Sequence, residues 1–219
     1  MARLFLLPGL GADERLFAAL GELHLPVVAH RLPVPERNEP MWSYALRVAA
    51  RLDLRAEDWI GGCSLGSLVA ADIARRRPVA GLVLIGGALS SRALMTPLAQ
   101  LAWLRHLMPV RVLQPLLATR PVLSLAFGTL PGAILQQLAA MLEATPDALL
   151  REGARLATGY FPSLAPLCPV YAIHGDRDRL MRRPPVAGCR MVAGAGHALA
   201  LSHPQAVTAF LNDVIGRAT

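Results

Sequence analysis

The segment Gly62-Cys63-Ser64-Leu65-Gly66 carries the side chain best suited to chemistry in this chain. It joins a short apolar stretch at 59–62 to an alanine-rich stretch with helical spacing at 64–77. A G-x-S-x-G sequence in this context predicts a sharp turn from strand to helix, in which the glycines leave room for the backbone and the serine hydroxyl is exposed. Such a serine can accept an acyl group and pass it to water.

A serine hydroxyl becomes a good nucleophile when a base removes its proton, and a carboxylate usually holds that base in place. Two later segments supply these groups, each directly after an apolar stretch: His174-Gly175-Asp176-Arg177-Asp178 and Gly194-Ala195-Gly196-His197. The order serine, acid, histidine is the one that follows a nucleophile elbow. We predict that His197 is the base and that Asp178 orients it, with Asp176 as the alternative acid.

The negative charge that develops on the substrate oxygen needs two hydrogen-bond donors. The N–H of Leu65 is one candidate, because it lies at a helix N-terminus, where the dipole favours negative charge. The N–H of Leu10 is the other candidate, in the loop after the first apolar stretch. We expect Cys63 to point away from the site and Ser67 to pack near the turn.

The other histidines are interpreted as structural. His174 precedes the turn that carries the two acids, and His203 precedes a proline that begins a helix. No surrounding motif supports a role for His24, His30 or His106.

Short apolar stretches alternate with helical patterns along the first part of the chain. Continuous apolar strands that alternate with helices predict a mostly parallel, doubly wound α/β sheet that is buried on both faces. The predicted strands are 3–7, 26–32, 59–62, 81–85, 169–174 and 189–192. The predicted helices of this core are 14–23, 41–52, 64–77 and 203–217.

Residues 90–160, called the insertion below, contain no strand pattern. They resemble four or five amphipathic helices separated by prolines, and they are too long for a connecting loop. We predict an all-helical cap inserted into a core formed by 1–89 and 161–219. The insertion is rich in Leu, Ala and Met and contains Trp103 and Phe127. An apolar roof over the nucleophile predicts an uncharged, apolar substrate of short to medium length.

The chain has 219 residues, 54% of them hydrophobic, and a net charge of +7. This length suits one domain that carries an insertion. All basic residues are arginines, which excludes a P-loop lysine and a Schiff-base lysine. The run Arg75-Arg76-Arg77 ends a predicted helix, where it complements the helix dipole. No aromatic residues are interleaved with it, so we predict no binding of nucleic acid.

The three cysteines, Cys63, Cys168 and Cys189, are too few for a disulfide framework and are predicted to be free, buried thiols. No cysteine and histidine cluster has the spacing of a zinc site, and we predict neither a metal nor a cofactor. The apolar start is interrupted by Pro8-Gly9, which favours a buried strand over a signal peptide. No run of 18 uncharged apolar residues predicts a membrane span, and we expect a cytoplasmic location.

These segments resemble the α/β-hydrolases, and among them serine esterases with a helical cap. The resemblance covers 1–90 and 165–219. Members of this superfamily often place the acid three residues after a glycine, which corresponds here to Gly175 and Asp178. Their histidine usually follows a glycine after the last strand, which corresponds to Gly196-His197.

Shorter segments are similar to the bacterial pimeloyl-carrier-protein methyl ester esterases. They are Gly62-Cys63-Ser64-Leu65-Gly66 with Leu68-Val69-Ala70, and His197-Ala198 with Ser202-His203-Pro204.

Three features depart from the α/β-hydrolase pattern. The first predicted strand corresponds to the third strand of the full fold, so the antiparallel edge hairpin is expected to be missing. Only residues 179–188 separate Asp178 from Cys189, so the helix usually found there is expected to be short or absent. Pro8-Gly9 stands where many members have His-Gly.

We therefore predict a carboxylesterase that acts on esters of short to medium apolar acyl chains through an acyl-enzyme. A thioesterase, a lactonase or a carrier-protein methyl ester esterase would need the same triad. A cofactorless haloperoxidase or a C–C bond hydrolase shares it as well. A non-catalytic protein that binds a small ligand on the same fold is the alternative from another class. The oligomeric state is left open.

Overall fold

A computed structural model of the chain describes residues 1–95, 110–128 and 130–217. The strands are β1 (Leu4–Leu7), β2 (Val27–Ala29), β3 (Trp59–Gly62), β4 (Gly81–Ile85), β5 (Val170–Gly175) and β6 (Arg190–Val192). The described α-helices are α1 (Met41–Arg51), α2 (Leu65–Arg76), α3 (Val110–Leu117), α4 (Arg120–Phe127), α5 (Gly132–Glu143), α6 (Asp147–Thr158), α7 (Leu199–Ser202) and α8 (Pro204–Gly216).

The strands form one sheet in the order β2-β1-β3-β4-β5-β6, and every neighbouring pair is parallel. The predicted parallel sheet is therefore confirmed. Among the described residues the antiparallel pairing is limited to one isolated bridge, between Leu94 and Met181. The strand order reverses between β1 and β3, and in open α/β sheets ligands bind at the carboxyl ends of the strands beside such a reversal.

Both faces of the sheet are covered by helices, as the continuous apolar strands predict. Phe5 and Leu7 point into a core shared with α1 and α2, whereas Leu4 and Leu6 point into a second core shared with α8. All four side chains are at most 1% exposed. Burial of a side chain of this size contributes about 1.5–3 kcal/mol, so these alternating residues fix which faces the helices occupy.

The predicted helix at 14–23 is wrong in extent. The structure has only a 3₁₀ turn at Glu14–Phe17, in which the Asp13 carboxylate accepts a hydrogen bond from the Arg15 N–H. Gly21 disfavours further helix after this turn. The predicted strand at 26–32 is also shorter, at Val27–Ala29. Among the described strands it pairs with β1, which has four residues and ends before a proline that cannot donate.

The insertion lies between β4 and β5, and its described part contains the helices α3 to α6 and no strand. Residues 96–109 and 129 lie outside the described residues, and with them Trp103 and His106. α5 contributes apolar side chains to the core on the Leu4 and Leu6 face, and α6 contributes to the core on the Phe5 and Leu7 face. The insertion thus contacts both halves of the core.

Both ends of the insertion are bonded to the core. At its start, the Met95 N–H donates to the Leu180 carbonyl at 3.0 Å, and the Arg182 N–H donates to the Ala93 carbonyl at 2.8 Å. These bonds flank the bridge between Leu94 and Met181.

At the end of the insertion, the Arg75 guanidinium donates to the Tyr160 hydroxyl at 2.8 Å and to the Leu164 carbonyl at 2.6 Å. The Tyr160 hydroxyl in turn donates to Asp72 at 2.8 Å, and Arg76 pairs with the same carboxylate. Arg75 is therefore a buried anchor, beyond the dipole role predicted for the arginine run.

In the described parts of the chain, no single helix is long and apolar enough to cross a membrane. Only α4 and α5 taken together, with a bend of 102° between them, reach that length and composition.

Candidate active site

Ser64 lies at the turn between β3 and α2 with φ 49° and ψ −121°, a conformation that residues other than glycine rarely adopt. A Cβ atom at Gly62 or at Gly66 would overlap the carbonyl oxygen of Leu7 at the end of β1. The turn is therefore pressed against the neighbouring strand, and only glycine fits on either side of the serine. The sharp strand-to-helix turn expected from the sequence is present.

Ser67 stabilises this turn through two hydrogen bonds. Its hydroxyl donates to the Ser64 carbonyl at 2.5 Å and accepts from the Ala88 N–H at 2.9 Å. The side chain is fully buried, so these bonds are protected from water. Ser67 links the turn to the loop that follows β4.

Asp178 and His197 form a hydrogen-bonded pair. The distance from His197 Nδ1 to Asp178 Oδ2 is 2.8 Å, and both side chains are buried. The other carboxylate oxygen, Oδ1, accepts from the N–H groups of Leu180 at 2.8 Å and Met181 at 2.9 Å. Burial alone would raise the pKa of Asp178, but His197 and the two backbone donors outweigh it and hold that pKa below its usual value.

Asp176, the alternative acid, is exposed and points elsewhere. Its carboxylate accepts from the Gly194 N–H at 2.7 Å. It therefore bonds to the loop that carries the histidine, and no hydrogen bond between Asp176 and His197 is present among the described residues.

The serine and the Asp178–His197 pair lie at the same edge of the sheet, after β3, β5 and β6. No hydrogen bond joins Ser64 Oγ to His197 within the described residues. The loop after β4 contacts both parts: the Ala88 N–H donates to Ser67 Oγ, and a Cβ atom at Gly86 would lie 3.2 Å from the His197 carbonyl oxygen. Hydrogen bonds between catalytic groups are often long before substrate binds.

Two backbone N–H groups beside Ser64, those of Leu65 and Leu10, have no acceptor among the described residues. Leu65 is the first residue of α2, where an N–H has no acceptor within the helix. Neither Leu65 nor Leu10 donates a backbone hydrogen bond to any described residue. The Leu10 loop passes close to the serine, because a Cβ atom at Gly9 would lie 3.0 Å from Ser64 Cβ.

Helices of the insertion contact the site. Gly153 of α6 packs against the side chains of Leu10 and Leu65, the two residues that carry these N–H groups. A Cβ atom at Gly153 would lie 2.6 Å from Leu10 Cδ1 and 3.1 Å from Leu65 Cδ2. Phe127, the last residue of α4, places its ring 6.0 Å from the His197 ring, centroid to centroid. The sequence alone did not indicate which residues of the insertion lie here.

His174 is closer to the site than its interpretation as a structural residue implied. Its Nε2 lies 3.6 Å from Asp178 Oδ2 and 3.1 Å from the Met181 carbonyl oxygen. The available signal was its spacing of four residues from Asp178 across a turn. His203 lies at the start of α8, as expected, and contacts Ser202.

The three cysteines are free and do not contribute to this site. Burial raises the pKa of each thiol, to about 11 for Cys168. Cys168 is only half-buried, which is less than predicted. Residues 179–188 contain no helix, as the short separation between Asp178 and Cys189 predicted.

Two surface cavities of about 640 Å³ and about 220 Å³ lie away from these groups. The larger is lined by residues of α6 and of the loop before α1, and the smaller by residues near Trp42 and Phe161. Neither is lined by Ser64, Asp178 or His197.

The chain belongs to the α/β hydrolase family, whose family model matches residues 4–210. No curated protein sequence matches the chain. Membership of this family supports a hydrolase activity on a small molecule.

Solved structures with the same fold include enzymes that cleave esters and lactones. A thermophilic esterase from Thermogutta terrifontis, solved with malate bound, has a TM-score of 0.73 and 18% identity, over 100% of this chain and 90% of that one. An esterase from Exiguobacterium antarcticum has a TM-score of 0.75 and 14% identity, over 100% and 92%. The enol-lactonase from Burkholderia xenovorans LB400 has a TM-score of 0.64 and 18% identity, over 98% and 91%. At these identities the likeness shows the fold.

Proposed function

We propose that the protein is a serine carboxylesterase that cleaves esters of short to medium apolar acyl chains through an acyl-enzyme. The observation that carries the proposal is the placement of Ser64, which is partly buried, in a strained turn at the sheet edge that also carries the Asp178–His197 pair. A nucleophile, a base and an oriented carboxylate are the groups that acyl transfer requires.

In this mechanism Ser64 Oγ attacks the carbonyl carbon of the ester while His197 Nε2 takes the hydroxyl proton. The same nitrogen then delivers the proton to the leaving alcohol, and a water molecule repeats the sequence on the acyl-enzyme. Asp178 holds Nδ1 of His197 at 2.8 Å, so that Nε2 is left to face the serine, and stabilises the imidazolium that forms.

The free N–H groups of Leu10 and Leu65 are proposed to bind the oxygen that becomes negative during the attack. They adjoin Ser64 from the ends of β1 and β3, and α2 adds the positive end of its dipole. One donor of this kind contributes roughly 3 kcal/mol to the transition state, on the order of a hundredfold in rate.

The insertion is proposed to act as a cap over this site, with 1–89 and 161–219 as the core. Its described helices contact the Leu10 loop, the first residue of α2 and the histidine loop through Gly153 and Phe127. The groups that meet there are leucine and phenylalanine side chains, which favour an apolar, uncharged acyl chain.

Thioesters, lactones and the methyl esters of carrier-bound acids would react by the same steps, and separate panels of these substrates distinguish them from simple esters. We also propose a cytoplasmic location, because the cysteines are sparse and free, which is typical of reducing compartments.

The test is hydrolysis of p-nitrophenyl esters from acetate to palmitate by the wild type, Ser64→Ala and the control Ser163→Ala. Ser163 is exposed and lies on the loop after the insertion. We expect an optimum at short or medium chains, loss of activity in Ser64→Ala only, and labelling of the wild type at Ser64 by a fluorophosphonate.

Labelling at Ser64 without turnover of any p-nitrophenyl ester would indicate a hydrolase with a narrow substrate range in place of a general esterase. Panels of thioesters and lactones would then be tested. A wild type that neither labels at Ser64 nor turns over any of these substrates would contradict the proposal and favour a ligand-binding protein.

A further inference from the structure

His174 is a second histidine beside the acid of the proposed triad, and its role rests on the function proposed above. The side chain is 2% exposed and lies at the end of β5. Its Nε2 faces two oxygens: the Met181 carbonyl at 3.1 Å and Asp178 Oδ2 at 3.6 Å. That same Oδ2 accepts the hydrogen bond from His197.

The surroundings fix the protonation of this ring. A carbonyl and a carboxylate can only accept, so the neutral imidazole carries its proton on Nε2. Burial lowers the pKa of His174, and His197 and Arg183 lower it further, while Asp178 and the Met181 carbonyl act in the opposite direction. The net effect is a lower pKa, which keeps the ring neutral and Nδ1 unprotonated.

His174 Nδ1 is the one buried side-chain nitrogen or oxygen without a hydrogen-bond partner among the described residues. A buried acceptor left without a partner destabilises a fold, and an aromatic hydrocarbon of similar volume would avoid that cost. The polar contacts of this ring are therefore on its Nε2 side, toward Asp178.

Met181 is held from both directions by the same arrangement. Its N–H donates to Asp178 Oδ1 at 2.9 Å, and its carbonyl oxygen accepts from His174 Nε2. The bridge to Leu94 adds a third attachment. The hydrogen bond from His174 to Met181 therefore joins the first and last residues of the turn that carries Asp178.

We propose that His174 is a positioning residue for the Asp178–His197 pair. Its Nε2–H donates to the Met181 carbonyl, closes the turn from 174 to 181 and presents its positive end to Asp178 Oδ2. The carboxylate is then held with Oδ2 toward His197, and the base keeps the orientation that proton transfer requires.

The test compares His174→Phe, which keeps the ring volume without the donor, with His174→Gln, which can place an amide nitrogen where Nε2 lies. His203→Gln is the matched control, because His203 contacts Ser202 and lies outside the pair. Turnover is measured on the best p-nitrophenyl ester and is divided by the number of sites that the fluorophosphonate labels.

We expect His174→Phe to lower kcat per labelled site about tenfold with KM unchanged, and His174→Gln to restore most of it. The proton between His197 Nδ1 and Asp178, observed by NMR at low field, should shift in the Phe variant and return in the Gln variant. The control should change neither quantity.

Unchanged kcat per labelled site together with an unshifted proton in His174→Phe would overturn the proposal and leave His174 as a space-filling residue. If the Phe variant does not fold, His174→Asn replaces it, because the shorter amide cannot reach Met181; equal behaviour of the Asn and Gln variants would overturn the donor role. The NMR signal does not depend on turnover. If the wild type is inactive but the proton still shifts in the variant, the proposed function fails while the positioning role of His174 stands.

Discussion

The turn at Ser64 and the turn at Asp178 are built by different means. Ser64 is fixed by backbone against backbone, since Gly62 and Gly66 allow the turn to press on the end of β1. Asp178 is fixed by hydrogen bonds from Leu180, Met181 and His197. Steric fixation tolerates no added atom, whereas a hydrogen-bonded carboxylate can be weakened one bond at a time.

This difference separates what each part contributes to the proposed chemistry. A change at the serine turn should disturb folding and activity together, because the same atoms pack the sheet. A change at the acid should remove activity and leave most of the fold in place, because it removes hydrogen bonds and adds no steric overlap.

The largest expected effect is on catalysis by Asp178→Asn. We expect kcat to fall by about 10⁴-fold, the size seen when a triad carboxylate becomes an amide, because His197 then loses its oriented tautomer. Asp176→Asn is the matched control and should lose less than about threefold, since Asp176 bonds only to the Gly194 N–H. Steady-state kinetics on one ester checks both, and the reverse ranking would make Asp176 the acid.

Gly66→Ala tests the steric side of the comparison. The added methyl would overlap the carbonyl oxygens of Leu7 and Pro8, which are backbone atoms that cannot move aside alone. We expect a loss of about 3 kcal/mol or more in the free energy of unfolding by urea, together with loss of activity.

Gly132→Ala is the control for that change, because no atom of the described residues lies within 4 Å of a Cβ atom at this position in α5. It should be neutral or slightly stabilising, by up to about 1 kcal/mol, since alanine favours helix. Equal stability of the two alanine variants would contradict the account of the turn.

The pH dependence of stability sharpens the comparison further. The folded-state pKa of Asp178 is lowered, so its stabilising contribution is present above the unfolded value of about 4 and is lost as pH falls through the folded value. The stability difference between the wild type and Asp178→Asn should therefore shrink between about pH 5 and pH 2.

Asp58 provides the control for this titration. Its pKa is lowered as well: burial would raise it, but the bonds from Arg3 and the Arg55 N–H outweigh burial. Asp58→Asn should lose the same acid-sensitive stability and keep full activity at neutral pH, because Asp58 lies at the opposite end of β3. A stability difference for Asp178→Asn that does not change with pH would contradict the prediction.

The smallest expected effect is that of Gly153→Ala in α6. The new methyl would meet the ends of two leucine side chains, Leu10 and Leu65, and these can rotate away. We expect kcat to fall severalfold through a shift of the Leu10 loop, with stability within about 1 kcal/mol of the wild type. Unchanged kinetics on long and short esters would contradict the proposal that α6 influences the oxyanion site through Leu10 and Leu65.

The sequence was most informative where local rules decide the structure. The strands at Trp59–Gly62 and Gly81–Ile85 have the predicted bounds, because each is a short apolar run flanked by turn residues. The turn at Ser64 followed from its two glycines. The parallel sheet followed from the alternation of such strands with helical patterns.

What could not be predicted depends on contacts between distant parts of the chain. Asp176 and Asp178 lie two residues apart in one loop; the spacing after Gly175 favours Asp178, but the hydrogen bond of Asp178 to His197 is seen only in the fold. The side chain of His174 was assigned by its place before a turn, although the turn brings Asp178 back to it. The segment after Asp13 begins where expected, with a capped turn, but it stops at Phe17, before Gly21.

The bonds at the two ends of the insertion have a consequence for protein engineering. The entry is paired with the turn that holds Asp178, through Leu94 and Met181, while the exit is held by Arg75 on the helix that begins at the nucleophile. A chimera that receives the equivalent segment of another family member would have to carry over residues 179–182 with it. Otherwise the foreign segment would lose its backbone hydrogen bonds to residues 180 and 182 at the point where it leaves the core.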